Sequence, residues 1–255
     1  MSRWEGHRNE GHAPREPWHD EPMKHRLPAL ALTVVAAASF LAACGSPEYE
    51  YVRNTEARTA FKVPTDWTVF DEATMLGKTA GPGASTPDPI EWLVGLDGDP
   101  APSRDHVLSL ASGYDTVHPQ GIAGVYRLSS TVRDQVNLQV LRNLILPIDQ
   151  VRDDVGAEAL NMIAYDDRLD QDGFQGLHFE AQVSMSALEF VLGASGDGDD
   201  PPTLLDDDYL HINQTAYVDP SSDKVYILAV LCSADCYARH RGDIDTIVNS
   251  WAVIA

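Results

Sequence analysis

From Ala60 onward the apolar positions alternate more often than they form a helical stripe. In Ala60–Phe70, A-F-K-V-P-T-D-W-T-V-F, Phe61 and Val63 alternate with polar neighbours until Pro64 breaks the ladder. Trp67 and Val69 resume it, which gives a strand, a turn and a second short strand. Ile90–Leu96 and Ile122–Leu128 read as further strands, and Phe174–Met185 as a long one, with Phe174, Leu177, Phe179, Ala181 and Val183 as its apolar set. Val225–Leu231, V-Y-I-L-A-V-L, is almost wholly apolar and belongs at the centre of a sheet. With Tyr209–Val218 and the turn residues Asp219–Asp223 it makes a hairpin.

Helical spacing is confined to a few stretches. Ser103 can cap a short helix through Leu110, with Asp105 favourable in its first turn. Val151–Tyr165 carries Val151, Val155, Ala159, Leu160, Met162 and Ile163 at helical spacing, and a final helix over Tyr237–Trp251 presents Ile244, Ile247, Val248 and Trp251. Val136–Leu146 mixes both periods before Pro147 closes it, while Gly77–Pro89 and Gly193–Pro202 are loops by composition. No internal repeat is visible. Strands and hairpins with a few helices predict an α+β fold, a mostly antiparallel sheet flanked by helices, in a single domain over 60–255.

The first 59 residues follow a different pattern. Lys24, His25 and Arg26 precede an apolar run from Leu27 to Phe40, and Ala42 and Ala43 lead to Cys44. Charged start, short apolar run and small-residue cleavage site are the parts of a secretory signal. A spanning helix needs roughly 20 apolar residues, more than this run offers. Leu41-Ala42-Ala43-Cys44, followed by Gly45 and Ser46, resembles the lipobox of bacterial lipoproteins. That resemblance implies a signal over 23–43, lipid on Cys44, and a chain held to the membrane on its extracytoplasmic face; two acyl chains anchor stably where one is marginal. Residues 1–22 lack apolar periodicity and read as a mis-annotated or disordered extension, with Met23 as the start; residues 44–59 read as a lipidated tether.

Charge narrows the function classes. The net charge is −21, and the first 43 residues contribute none of it, having five acidic and five basic residues. Such a balance opposes binding to nucleic acid or to an anionic lipid surface. With Cys44 lipidated, Cys232 and Cys236 remain, and a disulfide is the default in an oxidising compartment. Their spacing on one helical turn suits the bond. A metal pair would want two more ligands where only His240 is close, and a redox centre is usually Cys-x-x-Cys. A loop this short adds little stability, so the bond's role is to fix a strand-to-helix corner.

No catalytic set emerges. Gly193-Ala194-Ser195-Gly196-Asp197 misses the second glycine of a hydrolase elbow, and neither H-E-x-x-H nor a P-loop occurs. His106, His118, His178, His211 and His240 are scattered and read as surface or packed residues. The carboxylates Asp166, Asp167, Asp170 and Asp172, and later Asp197, Asp199, Asp200 and Asp206–Asp208, are of a kind that suits calcium. Aligning Gly173 with the turn glycine of an EF-hand, however, puts Arg168 at the first ligand position and Phe179 at the last. They read as solvated acidic turns, with no metal or cofactor assigned.

Taken in order, A-F-K-V-P-T-D-W near the start, a strong hairpin near the end and a closing helix ending I-V-N-S-W resemble the PsbP-like domains, a plan that actinobacterial lipoproteins of the LpqN type share. The resemblance spans roughly Phe61 to Val253. It implies a PsbP-like α/β/α sandwich and mostly non-enzymatic roles, and it brings no catalytic residues. Two function classes follow. One is a membrane-anchored, non-enzymatic binding or assembly module of the cell envelope, partnered by an envelope protein or an amphipathic small molecule. The other is a hydrolase or other envelope enzyme whose site is assembled from scattered residues.

Overall fold

The computed structural model describes residues 48–77, 89–109, 117–169, 173–193, 204, 208–221 and 223–253. The signal, Cys44, most of the loops Gly77–Pro89 and Gly193–Pro202, and Asp170 and Asp172 lie outside the described residues. Residues Pro47–Ala255 form one compact unit.

Its centre is an antiparallel sheet of seven strands. They are β3 (Thr68–Phe70), β4 (Ile90–Asp97), β5 (Gln120–Arg127), β6 (Leu160–Leu169), β7 (Gln175–Ser184), β8 (Tyr209–Val218) and β9 (Lys224–Ser233), in the order β3-β4-β5-β9-β8-β7-β6. β9 takes the middle place, as its continuous apolar run requires. Its residues alternate between two cores: Tyr226, Leu228, Val230 and Cys232 face one side, Val225, Ile227, Ala229 and Leu231 the other. Every one of these eight is at most 2% exposed, so a polar substitution on either face would bury an unpaired group.

One face is covered by a smaller antiparallel sheet, β1-β2-β10, together with the closing helix. Its strands are β1 (Tyr49–Asn54), β2 (Thr59–Pro64) and β10 (Ala252–Val253). Here Trp92 stacks on Trp251, with centroids 6.4 Å apart, and Phe61 meets both edge-on. The opposite face is covered by short helices: α1 (Glu72–Leu76) and α2 (Arg104–Leu108) over β4 and β5, and α4 (Leu138–Arg142), α5 (Ile148–Asp154) and α6 (Met185–Val191) over β7, β8 and β9. A further short helix, α3, spans Ser130–Arg133. The fold is α+β, antiparallel and helix-flanked, with the small sheet added to one outer layer.

Several expectations need correction. The stretch taken for a tether contains β1, which pairs with β2 from Tyr49↔Pro64 to Asn54↔Thr59. Its tyrosines and Val52 favour a strand, but its outer position lets Glu50 and Arg53 stay polar, which hid the pattern. The helix expected over Val151–Tyr165 stops at Asp154. Gly156 follows at φ 131°, a backbone conformation glycine permits and other residues rarely adopt, and Leu160–Leu169 is strand. The misreading has a definite cause: β6 pairs with β7 through a register shift between Met162 and Ala164. The bulge breaks strict alternation, so Leu160, Met162, Ile163 and Tyr165 mimic a helical stripe. The long strand ends at Ser184, whose hydroxyl accepts from Ala187 N and caps α6. The closing helix, α7, runs Ala234–Asn249, three residues earlier than its apolar pattern, because Ser233 caps it.

Candidate functional site

Three groupings of polar or open surface stand out, and their chemistry separates them. The first is a buried polar network between β7, β8 and α7. β8 alternates Leu210, Ile212 and Ala216 on the helix-covered face with His211, Asn213 and Thr215 on the other. That second set would face solvent in a bare sheet; α7 seals it instead. His178 Nε2–H donates to Asn213 Oδ1 (2.9 Å), Asn213 Nδ2 donates to the Tyr237 hydroxyl (2.9 Å), and that hydroxyl donates to Asp245 Oδ1 (3.1 Å). His211 stacks on the Tyr237 ring, centroids 3.4 Å apart, and its Nε2 meets Glu180 Oε1 at 2.9 Å.

The electrostatics of this network favour a neutral His211 ring and a neutral Tyr237 phenol. Burial pushes the His211 imidazole below its ordinary value and outweighs the pull of Glu180. The geometry agrees, since a second proton would sit on Nδ1, which finds no hydrogen-bond partner among the described residues. Burial likewise holds the Tyr237 phenol well above the usual range. His211, Asn213 and Tyr237 are each at most 3% exposed. A substrate could reach none of them without lifting α7, so the network pins helix to sheet. Beside it, Cys232 and Cys236 lie at disulfide distance, Cα atoms 5.8 Å apart and both fully buried, at the corner where β9 turns into α7.

The second grouping is an ionic cleft at the end of β5 and β9. Two adjoining cavities of about 240 and 290 Å³ share Arg127 and Lys224. Glu91 accepts from Arg127 Nε (2.8 Å) and pairs with Lys224 Nζ (2.6 Å), while Arg133 pairs with Asp223. Burial pushes the Glu91 carboxyl up, but Lys224 and Arg127 outweigh it and hold it low. The cations here are answered by the chain's own carboxylates.

The third is a groove on the outer side of β6, about 230 Å³, lined by Ile148, Leu160, Met162 and Tyr165 with Arg142, Asp149 and Arg152. Asp149 is fixed from several sides: Arg142 Nη2 bonds both its oxygens (2.5 and 2.7 Å) and Asn143 Nδ2 bonds one (2.8 Å). Burial pushes the Asp149 carboxyl up, but these bonds outweigh it and hold it low. Arg142 is thereby spread over the Tyr165 ring, 5.8 Å from its centroid. The bulge in β6 is what assembles this floor. Leu160 and Met162 pair with Val183 and Ala181, and after the register shift Tyr165 pairs with Phe179, so all three point to the same helix-covered face.

Beyond the groove, β6 ends the sheet order, and no described strand pairs with its outer edge. Met162, Ile163 and Tyr165 are 38%, 44% and 41% exposed, so an apolar rim and a row of backbone groups face outward together. This surface is hidden in the sequence because the segment carries helical spacing; Gly156, a helix stop ahead of Ile163 and Tyr165, is the available signal.

Elsewhere, Asp97 is fully buried and accepts from Asp99 N, Ser103 N and His106 Nδ1 (2.8 Å), tying the loop after β4 to α2. His118 and His240 join none of these groupings. Asp166 and Asp167 lie exposed on β6. Among the described residues, no three His, Cys, Asp or Glu are disposed to hold a metal ion, and no helix is long and apolar enough to cross a membrane.

No family model matches the chain, and no curated protein is significantly similar to it. Among solved structures, the solution structure of cyanobacterial PsbP from Synechocystis is similar at 14% identity and a TM-score of 0.37, over 83% of this chain and 95% of that one. A Pseudomonas aeruginosa protein of unknown function is similar at 11% identity and a TM-score of 0.29, over 77% of this chain and 90% of that one. At these scores neither carries a functional argument, and the site is read from its own residues.

Proposed function

We propose that the chain is a lipid-anchored, extracytoplasmic lipoprotein that acts as a non-enzymatic binding or assembly module of the cell envelope, of the LpqN type found in actinobacteria. The lipobox at Cys44 supports the anchor and the bacterial setting. The observation that carries the binding role is the apolar groove lying beside an edge of ten residues with no described neighbour. A groove of about 230 Å³ is smaller than the roughly 300–1,000 Å³ typical of small-molecule pockets. It suits one large side chain of a protein partner better than a lipid. The buried network cannot serve as a reaction site while α7 covers it.

The test follows the full-length chain in its host. With a clickable fatty acid in the medium, the protein is expected to take up label and fractionate with membranes. Cys44→Ala should lose both properties. A labelled Cys44→Ala protein, or an unlabelled soluble wild type, would overturn the anchored reading.

A second reading, hydrolysis, has one observation in its favour: the Asp97–His106 contact orients an imidazole as a general base requires. It would be supported by hydrolysis of p-nitrophenyl esters that disappears in His106→Ala.

A further inference from the structure

The groove and the edge of β6 together define more than an apolar patch. After its bulge β6 runs in regular register from Ala164↔Glu180 to Leu169↔Gln175, six residues whose inner side is bonded to β7. The outer backbone groups of that run are the docking row for another strand. Strands added to an edge gain affinity from main-chain hydrogen bonds and specificity from pockets that take alternate side chains. Here the pocket is in place, floored by Met162 and Tyr165 and walled by Ile148.

Charge decides what kind of strand fits. Within the groove the two cations are spent: Arg142 on Asp149, and Arg152 on Asp153 (2.9 Å) and Asp149 (3.5 Å). Asp154, Glu158 and Asp167 carry no ion pair among the described residues, and Asp166 reaches only His178, at 3.9 Å. Four exposed carboxylates therefore lie on or next to this edge, in a chain of net charge −21. Asp154 ends α5, Glu158 precedes β6, and Asp167 and Asp166 stand on β6 itself, on the groove's face and the opposite face. Bulges and edge charges are how proteins stop edges from pairing indiscriminately. A second copy of this chain would bring the same acidic edge against itself. A partner strand rich in Lys or Arg would instead convert the blocking charges into attraction.

We propose that the β6 edge is a strand-addition site for an extended basic segment of a protein partner, which pairs with Ala164–Leu169 and inserts one large apolar side chain between Ile148, Met162 and Tyr165. This rests on the binding reading above but is independent of the lipid anchor. The two therefore fail separately: the fractionation experiment tests the anchor, and the soluble unit tests the edge.

The soluble unit Pro47–Ala255 suffices for the test, because the cores draw on nothing before Val52 among the described residues. Fluorescein-labelled decapeptides, with Lys alternating with randomised Val, Leu, Phe or Tyr, are titrated by anisotropy. Two control sets replace Lys by Glu or N-methylate alternate backbone amides. Members of the Lys set are expected to bind more tightly than roughly 100 μM, with both controls at least about tenfold weaker. Met162→Ser/Tyr165→Ser and Asp166→Lys/Asp167→Lys should each weaken the best peptide by about tenfold or more. All four side chains are exposed, so the thermal midpoint should barely move. Hydrogen exchange should slow in β6 when peptide is bound. The proposal is overturned if no Lys peptide binds, if N-methylated or Glu peptides bind as well, or if the slowed amides lie outside β6.

Discussion

Tyr237→Phe isolates one hydroxyl of the buried network while leaving the ring stacked on His211. Two hydrogen bonds disappear. Asp245, 38% exposed, can turn to water, so its side of the loss is small. Asn213 cannot: it is 2% exposed, and its amide hydrogen would be left buried without an acceptor. Stranding such a group costs about 1–3 kcal/mol, and the destabilisation should reach about 2–3 kcal/mol with the lost bond to a carboxylate included. For a domain of this size each kcal/mol moves the midpoint by about 2–4 °C, so a drop of roughly 4–12 °C is expected. Asn213→Ala should cost more, because it leaves His178 Nε2–H without its acceptor, takes from the Tyr237 oxygen the amide that donates to it, and leaves a gap where the side chain packed. The double variant should cost little beyond Asn213→Ala alone, since both changes break the same chain of bonds. The assay is urea unfolding of Pro47–Ala255 read by tryptophan fluorescence, with Trp92 and Trp251 stacked in the core under α7. A Tyr237→Phe loss below about 0.5 kcal/mol, or strict additivity with Asn213→Ala, would refute the network as the pin between helix and sheet.

Three further outcomes can be checked on the same unit. His211 has its proton affinity lowered by folding, so the unfolded chain takes up a proton first as pH falls below 6.5; stability should then decline by up to about 1.4 kcal/mol per pH unit, and His211→Gln should flatten that slope just below pH 6.5 in urea titrations. Removing the Cys232–Cys236 link by double alanine substitution should lower stability by about 2 kcal/mol or less, because the residues are only four apart in sequence, and in native wild type neither sulfur should react with an aqueous thiol reagent. Gly176→Ala should destabilise by about 1–3 kcal/mol in thermal melts, since its Cβ would come 2.2 Å from Tyr217 Cδ1 and 2.6 Å from the Ala216 carbonyl oxygen.

What was legible in the sequence follows from how each segment is buried. β9 is sandwiched between two cores, so its continuous apolar run could mean little else, and its neighbour β8 followed from the turn residues between them. The short helices α1, α3 and α6 were not legible, because four to seven residues make fewer than two turns, too few for an apolar stripe to repeat. β6 was misassigned because its bulge moves Tyr165 onto the face of Leu160 and Met162, destroying the two-residue period that marks a strand. The buried network escaped notice for a related reason. His211, Asn213 and Thr215 alternate as a solvent face would, and only the packing of α7 across them makes that face interior. The acidic residues read correctly as exposed at Asp166 and Asp167, but their position along a sheet edge could not be seen before β6 was recognised as a strand.

The binding role is tested most directly by site-resolved photo-crosslinking of the full-length, anchored protein in its host. A benzophenone amino acid is placed in turn at Ile163 and Tyr165 on β6, and at Tyr51 on β1 and Val132 on α3, which are also exposed but do not line the groove. A binding module working through β6 should give one discrete adduct of defined mass at Ile163 and Tyr165, absent at Tyr51 and Val132 and lost when Asp166→Lys/Asp167→Lys is added. Adducts at all four positions alike, or none at either β6 position, would contradict it.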